Sequence, residues 1–198
     1  MPPHFVAMTS VQQERIKFLI SEEISIVNYD LLWPLLFSKE AASLRETLPL
    51  NLVTRIEHFG STSVPGLSSK PIIDILVEVL SLEQTQRQIA PILQAAGYEY
   101  LWRPVRGNDP PFYAWFIKRN SNGVRTHHIH MVEHDSELWD RLYFRDYLRT
   151  FPDEAARYDE LKRSLAEAFP RDRVTYTEKK TEYITSVTQR AKEYFQAR

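Results

Sequence analysis

The residues best suited to chemistry lie in two short segments. In the first, residues 57–79 read EHFGSTSVPGLSSKPIIDILVEV. Gly60 lets the backbone turn tightly, and Ser61, Thr62 and Ser63 offer hydroxyls and successive N–H groups to an anion. Lys70 adds a cation just before the strand. Asp74 is an acid in an otherwise apolar strand, where an ionised carboxylate is costly unless it meets a metal, a cation or several donors. Taken singly, the turn could be structural and Asp74 could form a salt bridge with Lys70 or an arginine. Their adjacency favours a site.

The second segment is RTHHIHMVE, residues 125–133. Strand alternation puts Thr126, His128 and His130 on one face and Arg125, His127, Ile129 and Met131 on the other. Two imidazoles about 7 Å apart along a strand can bind one metal or, as imidazolium, a phosphate; neutral core histidines are the alternative. Val132 stands where a histidine-triad hydrolase would need its third histidine, which disfavours that class. Along the first strand, Asp74 and Glu78 share a face but lie about 13 Å apart, too far to serve one metal. Arg141, Arg145 and Arg149 recur every four residues and could line a polyphosphate, although such stripes are commonly solvated. Lys70, Arg125 and Arg145 are the candidate phosphate cations. Trp102, Trp115 and Trp139 read as core, with no ligand role.

These segments need elements to hold them. Residues 30–48 place Trp33, Leu36, Phe37, Ala41, Leu44 and Leu48 on one helical face, with Pro34 in the first turn. VTRIEHF then reads as a strand, GSTSVPG as a turn and PIIDILVEV as a buried strand. A helix over 82–96 is closed by Gly97. YEYLW, a loop RPVRGNDPP, FYAWFIK and VRTHHIHMVE follow, with Asn122-Gly123 as a hairpin turn. Ser136 caps a helix over 137–149, Pro152 opens another, and Thr175-x-x-Glu178 reads as a capping box. The class is α+β, a mixed β-sheet with flanking helices and a helical C-terminal third.

A chain of 198 residues with 25 basic and 26 acidic side chains fits one domain and generates no global field toward nucleic acid or an acidic membrane. There is no cysteine, and the first twenty residues contain no run suited to a signal or membrane span, so the cytoplasm is the expected location. No repeat or linker divides the chain, and nothing in it sets an oligomeric state.

Taken in order, EHFGSTSVPGLSSKPIIDILVEV, GYEYL, RTHHIHMVE, LYFRDYLR and YTEKKTEYI resemble the GrpB family of bacterial proteins. The resemblance runs over about residues 29–194, leaving 1–28 as an expected N-terminal extension and 29–195 as the expected domain. The RPVRGNDPP loop departs from the glycine- and arginine-rich segment typical of relatives. That family in turn resembles the nucleotidyltransferase superfamily, whose Gly-Ser turn precedes a strand with an acid-x-acid pair. The resemblance implies a nucleotidyltransferase-like fold, with Gly60 and Ser61 as the signature and Asp74 as the first acid. The second acid position is Leu76.

Paired carboxylates would hold Mg²⁺ against nucleotide phosphates, and Leu76 removes one of them. His128 and His130 can take the missing acid's place, giving with Asp74 a mixed nitrogen and oxygen set better suited to Zn²⁺ or Mn²⁺. Asp74, His128 and His130 are therefore the candidate catalytic and metal residues; Gly60, Ser61, Thr62, Ser63, Lys70, Arg125 and Arg145 are the candidate ligand-binding ones. The expected ligand is a nucleoside triphosphate, another nucleotide or a phosphorylated small molecule. Family members fused to a coenzyme A biosynthetic kinase also suggest a nucleotide-related role. Nucleotidyl transfer is the expected reaction, with a catalytically silent nucleotide-binding module or a metal-dependent hydrolase or metal-binding protein as alternatives.

Overall fold

The β-branched runs on either side of the Gly-Ser turn fold as antiparallel strands β1 (Val53–Phe59) and β2 (Ile73–Val79). The computed structural model describes residues 22–106 and 109–197. Strands β3 (Glu99–Arg106), β4 (Asp109–Arg119) and β5 (Arg125–Val132) complete a five-stranded sheet in the order β1-β2-β5-β4-β3. Only β2 and β5 run parallel. The sheet is mixed, as the α+β reading requires.

Alternation divides β2 between two apolar layers. Ile73, Ile75 and Val77 face helix α1 (Trp33–Thr47) and a helix over residues 82–95, α2, in a cluster with Trp33, Leu44, Ile89 and Leu93. Leu76 joins Phe59, Tyr113, Trp115, Ile117, Val132 and Leu142 on the opposite face. Leu142 belongs to α3 (Asp140–Thr150), which with α4 (Pro152–Ala168) and α5 (Arg173–Gln196) makes the C-terminal third helical. Burying each such aliphatic side chain contributes about 1.5–3 kcal/mol. Interior β2 is therefore fixed in register by apolar residues on both faces, and Asp74 is carried to a defined place.

Several local expectations change. Leu36 is 39% exposed, because α1 turns Trp33, Glu40, Ala41 and Leu44 inward instead. Buried Glu40 is satisfied by the Tyr98 hydroxyl and the Lys118 ammonium. Helix α2 contains one wide turn at Thr85–Ile89 and ends before Gly97, whose φ of 87° suits glycine. Much of the expected 103–111 loop is strand: Pro104 pairs with Phe112 on the sheet's edge, where a missing N–H is tolerated. Helix α5 is capped by Asp172, which accepts from Thr175 N at 3.0 Å, so the capping box expected at Thr175 lies inside the helix. Residues 22–28, read as extension, pack on this fold: Ile24 is buried with Leu165 and Tyr176, and Val27 pairs with Ser69. Residues 1–21 lie outside the described residues.

Candidate functional site

Parallel pairing of β2 with β5 sets Asp74 beside His128 and Leu76 beside His130, while antiparallel pairing sets Asp74 against Phe59. All three polar groups project from one face. His128 Nδ1 lies 3.1 Å from Asp74 Oδ1, and His130 Nε2 lies 4.0 Å from the same oxygen. One ligand atom from each residue can be chosen such that all lie within 4.8 Å of one another.

The Gly-Ser turn closes over this group. Gly60 has φ 70°, and a Cβ there would stand 2.5 Å from Asp74 Oδ2 and 3.1 Å from Asp74 Cβ. Only glycine admits both the backbone conformation and that approach. A short helical turn, Ser61–Ser63, follows. Thr62 is fully buried with its hydroxyl 3.0 Å from His58 Nε2, and the Ser63 hydroxyl donates to the Gly60 carbonyl. Both hydroxyls thus shape the turn. Ser61 is half-buried and shares a hydrogen bond with the Tyr158 side chain.

Two arginines of the α3 stripe brace the turn from outside. Arg149 donates twice to the Ser63 carbonyl, at 3.0 and 2.7 Å. Arg145 donates to the His58 carbonyl at 2.8 Å and to Glu57 at 2.9 Å, and also pairs with Asp146. Burial opposes charge on Glu57, but Arg145 and Arg55 outweigh it and hold the carboxyl below its usual range. Arg145 is therefore committed to protein groups and positions the turn.

The donor set suits a metal. His128 Nδ1 and Asp74 Oδ1, 3.1 Å apart, can share a proton in the empty group or turn their lone pairs on one ion. His128 Nε2 and both ring nitrogens of His130 are buried and meet no hydrogen-bond partner among the described residues. Burial pushes His128 down to about 4 and His130 to about 3, which keeps both rings neutral and able to coordinate. Burial opposes ionisation of Asp74, but the His128 hydrogen bond, with Lys70 nearby, prevails and lowers it. The Asp74 side chain nevertheless keeps 29% exposure, so the carboxylate edge of the group reaches solvent. Asp74, His128 and His130 could hold a divalent ion and leave positions on it for water or substrate.

Around them stands a buried aromatic shell, of which the sequence had assigned Trp115 to the core. Trp115 meets His128 edge-on at 5.0 Å between ring centroids, Tyr113 stacks on His130 at 5.4 Å, and Phe59 meets His130 edge-on at 5.1 Å. Glu78 bonds to Thr54. Arg125 pairs with Glu22 at 2.7 Å, near Arg173, and contributes to that network.

Lys70 is half-buried with its ammonium 5.6 Å from the Tyr176 ring centroid. Lys180, from the YTEKKTEYI motif, lies 4.9 Å from the same centroid. Tyr158, Tyr176 and Lys180 stand beside Ser61 and Lys70, and pattern reading did not single them out. Helical spacing gives them no mark distinguishing them from core or solvated positions, and the YTEKKTEYI motif pointed to the region of Tyr176 and Lys180 but not to Tyr158.

Among the described residues, no helix is long and apolar enough to cross a membrane. A family model described as GrpB protein matches residues 23–190. Over 166 residues the chain is 37% identical to the glutamate-rich protein GrpB of Alkalihalophilus pseudofirmus, covering 83% of this chain and 94% of that protein. It is 40% identical over 171 residues to a UPF0157 protein of Pseudomonas aeruginosa, covering 86% and 68% respectively. Among solved structures it is similar to the conserved protein GrpB from Enterococcus faecalis, with a TM-score of 0.75 and 34% identity, over 86% of this chain and 99% of that one.

Proposed function

The chain belongs to the GrpB family, and on that footing we propose that its Gly60–Ser63 turn and its Asp74, His128 and His130 group bind a nucleotide or phosphorylated small molecule together with a divalent metal. The observation that supports this reading is the close approach of Gly60 to the Asp74 carboxylate, which brings the Gly-Ser turn against the candidate metal group. The nucleotidyltransferase-like arrangement expected from the sequence has the same order of parts, a Gly-Ser turn and then an acid on the following strand. A bound metal would polarise a phosphoryl oxygen and help activate an attacking hydroxyl. The turn would orient the phosphates, while Phe59, Tyr113 and Trp115 limit water around the histidines. Nucleotidyl transfer is the reaction proposed for this arrangement, in a cytoplasmic setting.

Leu76 favours a second reading. It is fully buried in an apolar cluster at the expected place of the second acid, so the family site would here bind its ligand without turning it over. Calorimetry of ATP and GTP with Mg²⁺, Mn²⁺ or Zn²⁺ tests the shared premise: binding should require the metal and disappear in Asp74→Ala. Unchanged nucleotide binding in that variant overturns the assignment. Transfer activity in the unaltered protein would reject the silent module.

A further inference from the structure

Two lysines that the metal group does not use converge on one buried ring. Lys70 precedes β2, and Lys180 lies one helical turn beyond Tyr176 on α5; their ammonium groups stand 5.6 and 4.9 Å from the Tyr176 ring centroid. Tyr176 itself is 1% exposed. Among the described residues, neither ammonium has a carboxylate within ion-pairing distance, in a chain whose other buried cations are paired: Lys162 with Asp159, Arg125 with Glu22.

Holding two half-buried like charges together costs stability, and a shared aromatic ring offsets only part of that cost. Burial weakens protonation of both, and the charge of Lys180 weakens that of Lys70 further; Asp74 is the acid that acts on both from nearby. A bound polyanion would draw both lysines into the ammonium form, two positive charges against the one carboxylate, and a divalent ion on Asp74, His128 and His130 would add two more. Such a field selects a ligand carrying several negative charges over a monoester.

We infer that Lys70 and Lys180, carried on Tyr176, form the phosphate-chain subsite of this centre and fit it to a di- or triphosphate. The inference rests on the proposed ligand class but not on the metal being present. Lys70 was a candidate by sequence; Lys180 supplies the second contact from the C-terminal helix α5.

Inorganic tripolyphosphate is the probe. Its affinity would be measured by calorimetry, with and without Zn²⁺ or Mn²⁺, for the unaltered protein, Lys70→Gln, Lys180→Gln and a neighbouring control, Lys179→Gln. Metal content and thermal melting would be followed in parallel. The subsite predicts a loss of about tenfold or more in each of the first two variants, with metal content unchanged and the control equal to the parent. Lysine-dependent binding in a protein that takes up no metal would sink the metal reading and sustain this one. Equal binding by parent, Lys70→Gln and Lys180→Gln, or no binding by the parent, overturns the subsite. Lys180→Gln alone suffices should Lys70→Gln fold poorly.

Discussion

Leu76 and His130 stand side by side in the parallel pairing of β2 with β5, so the histidine occupies the strand position next to the place where an acid was expected. Nothing in the sequence of either strand alone reveals this. The imidazole, packed among Phe59, Tyr113 and Trp115 with both nitrogens buried, is a group whose cost to folding calls for a ligand.

His130→Phe should therefore separate stability from function. Phenylalanine fits the aromatic surroundings and removes the orphaned nitrogens, so the melting temperature is expected to hold or rise while bound Zn²⁺ or Mn²⁺ falls at least about tenfold. Retained metal, or a marked loss of stability, would show the histidine to be structural.

Gly60→Ala should damage both properties. Positive φ costs about 1–3 kcal/mol for a side-chain-bearing residue, and the new methyl, which would stand 2.5 Å from Asp74 Oδ2, forces that carboxylate to move. Denaturant unfolding should show the destabilisation and elemental analysis the reduced metal. A variant equal to the parent in both would contradict the close approach.

Leu76→Asp places a carboxylate in the apolar cluster rather than restoring a working acid pair. In metal-free buffer it should lose about 3 kcal/mol or more by chemical denaturation. Parent-like stability would mean that the cluster is more open than its burial indicates.

Arg145→Ala removes the donor shared by Glu57 and the His58 carbonyl, and should cost about 1–3 kcal/mol. Lysine should rescue poorly, since one ammonium cannot reproduce the guanidinium fork. Full rescue by lysine would reduce the interaction to simple charge.

Stability should also fall in acid. His58, His128 and His130 are held at about 4, about 4 and about 3 by burial, below the ordinary 6.5, so they stay neutral in the fold while the unfolded chain takes up protons. Their contribution is fully present above about 6.5 and is lost as pH falls toward 4. At pH 5 the cost is on the order of 2 kcal/mol per histidine. Melting temperatures that do not change between pH 7 and 5 would refute it.

The turn and Asp74 were legible because glycine, hydroxyls and an acid in an apolar strand each break a local rule, and such breaks concentrate at sites. The histidine pair was legible by alternation. Arg145 was seen but given a ligand role, because a stripe spaced by four residues does not disclose whether its guanidiniums meet solvent, substrate or, as here, the carbonyls of a neighbouring turn. Lys180 and Tyr158 come from helices whose contacts with the turn are fixed only by packing. The strand over Pro104 was missed because a proline on an edge strand reads locally as a loop.

The separation of Asp74 from His128 by 54 residues has a consequence for assembly. The Asp74, His128 and His130 group does not exist until the long crossover between β2 and β5 has closed, the step that entropy makes slow in chains with distant contacts. Any metal affinity of that group would thus be a measure of the closed sheet as a whole. Adding the ion should slow global unfolding and protect the amides of β2 and β5 together, with little effect on the outer hairpin's local opening.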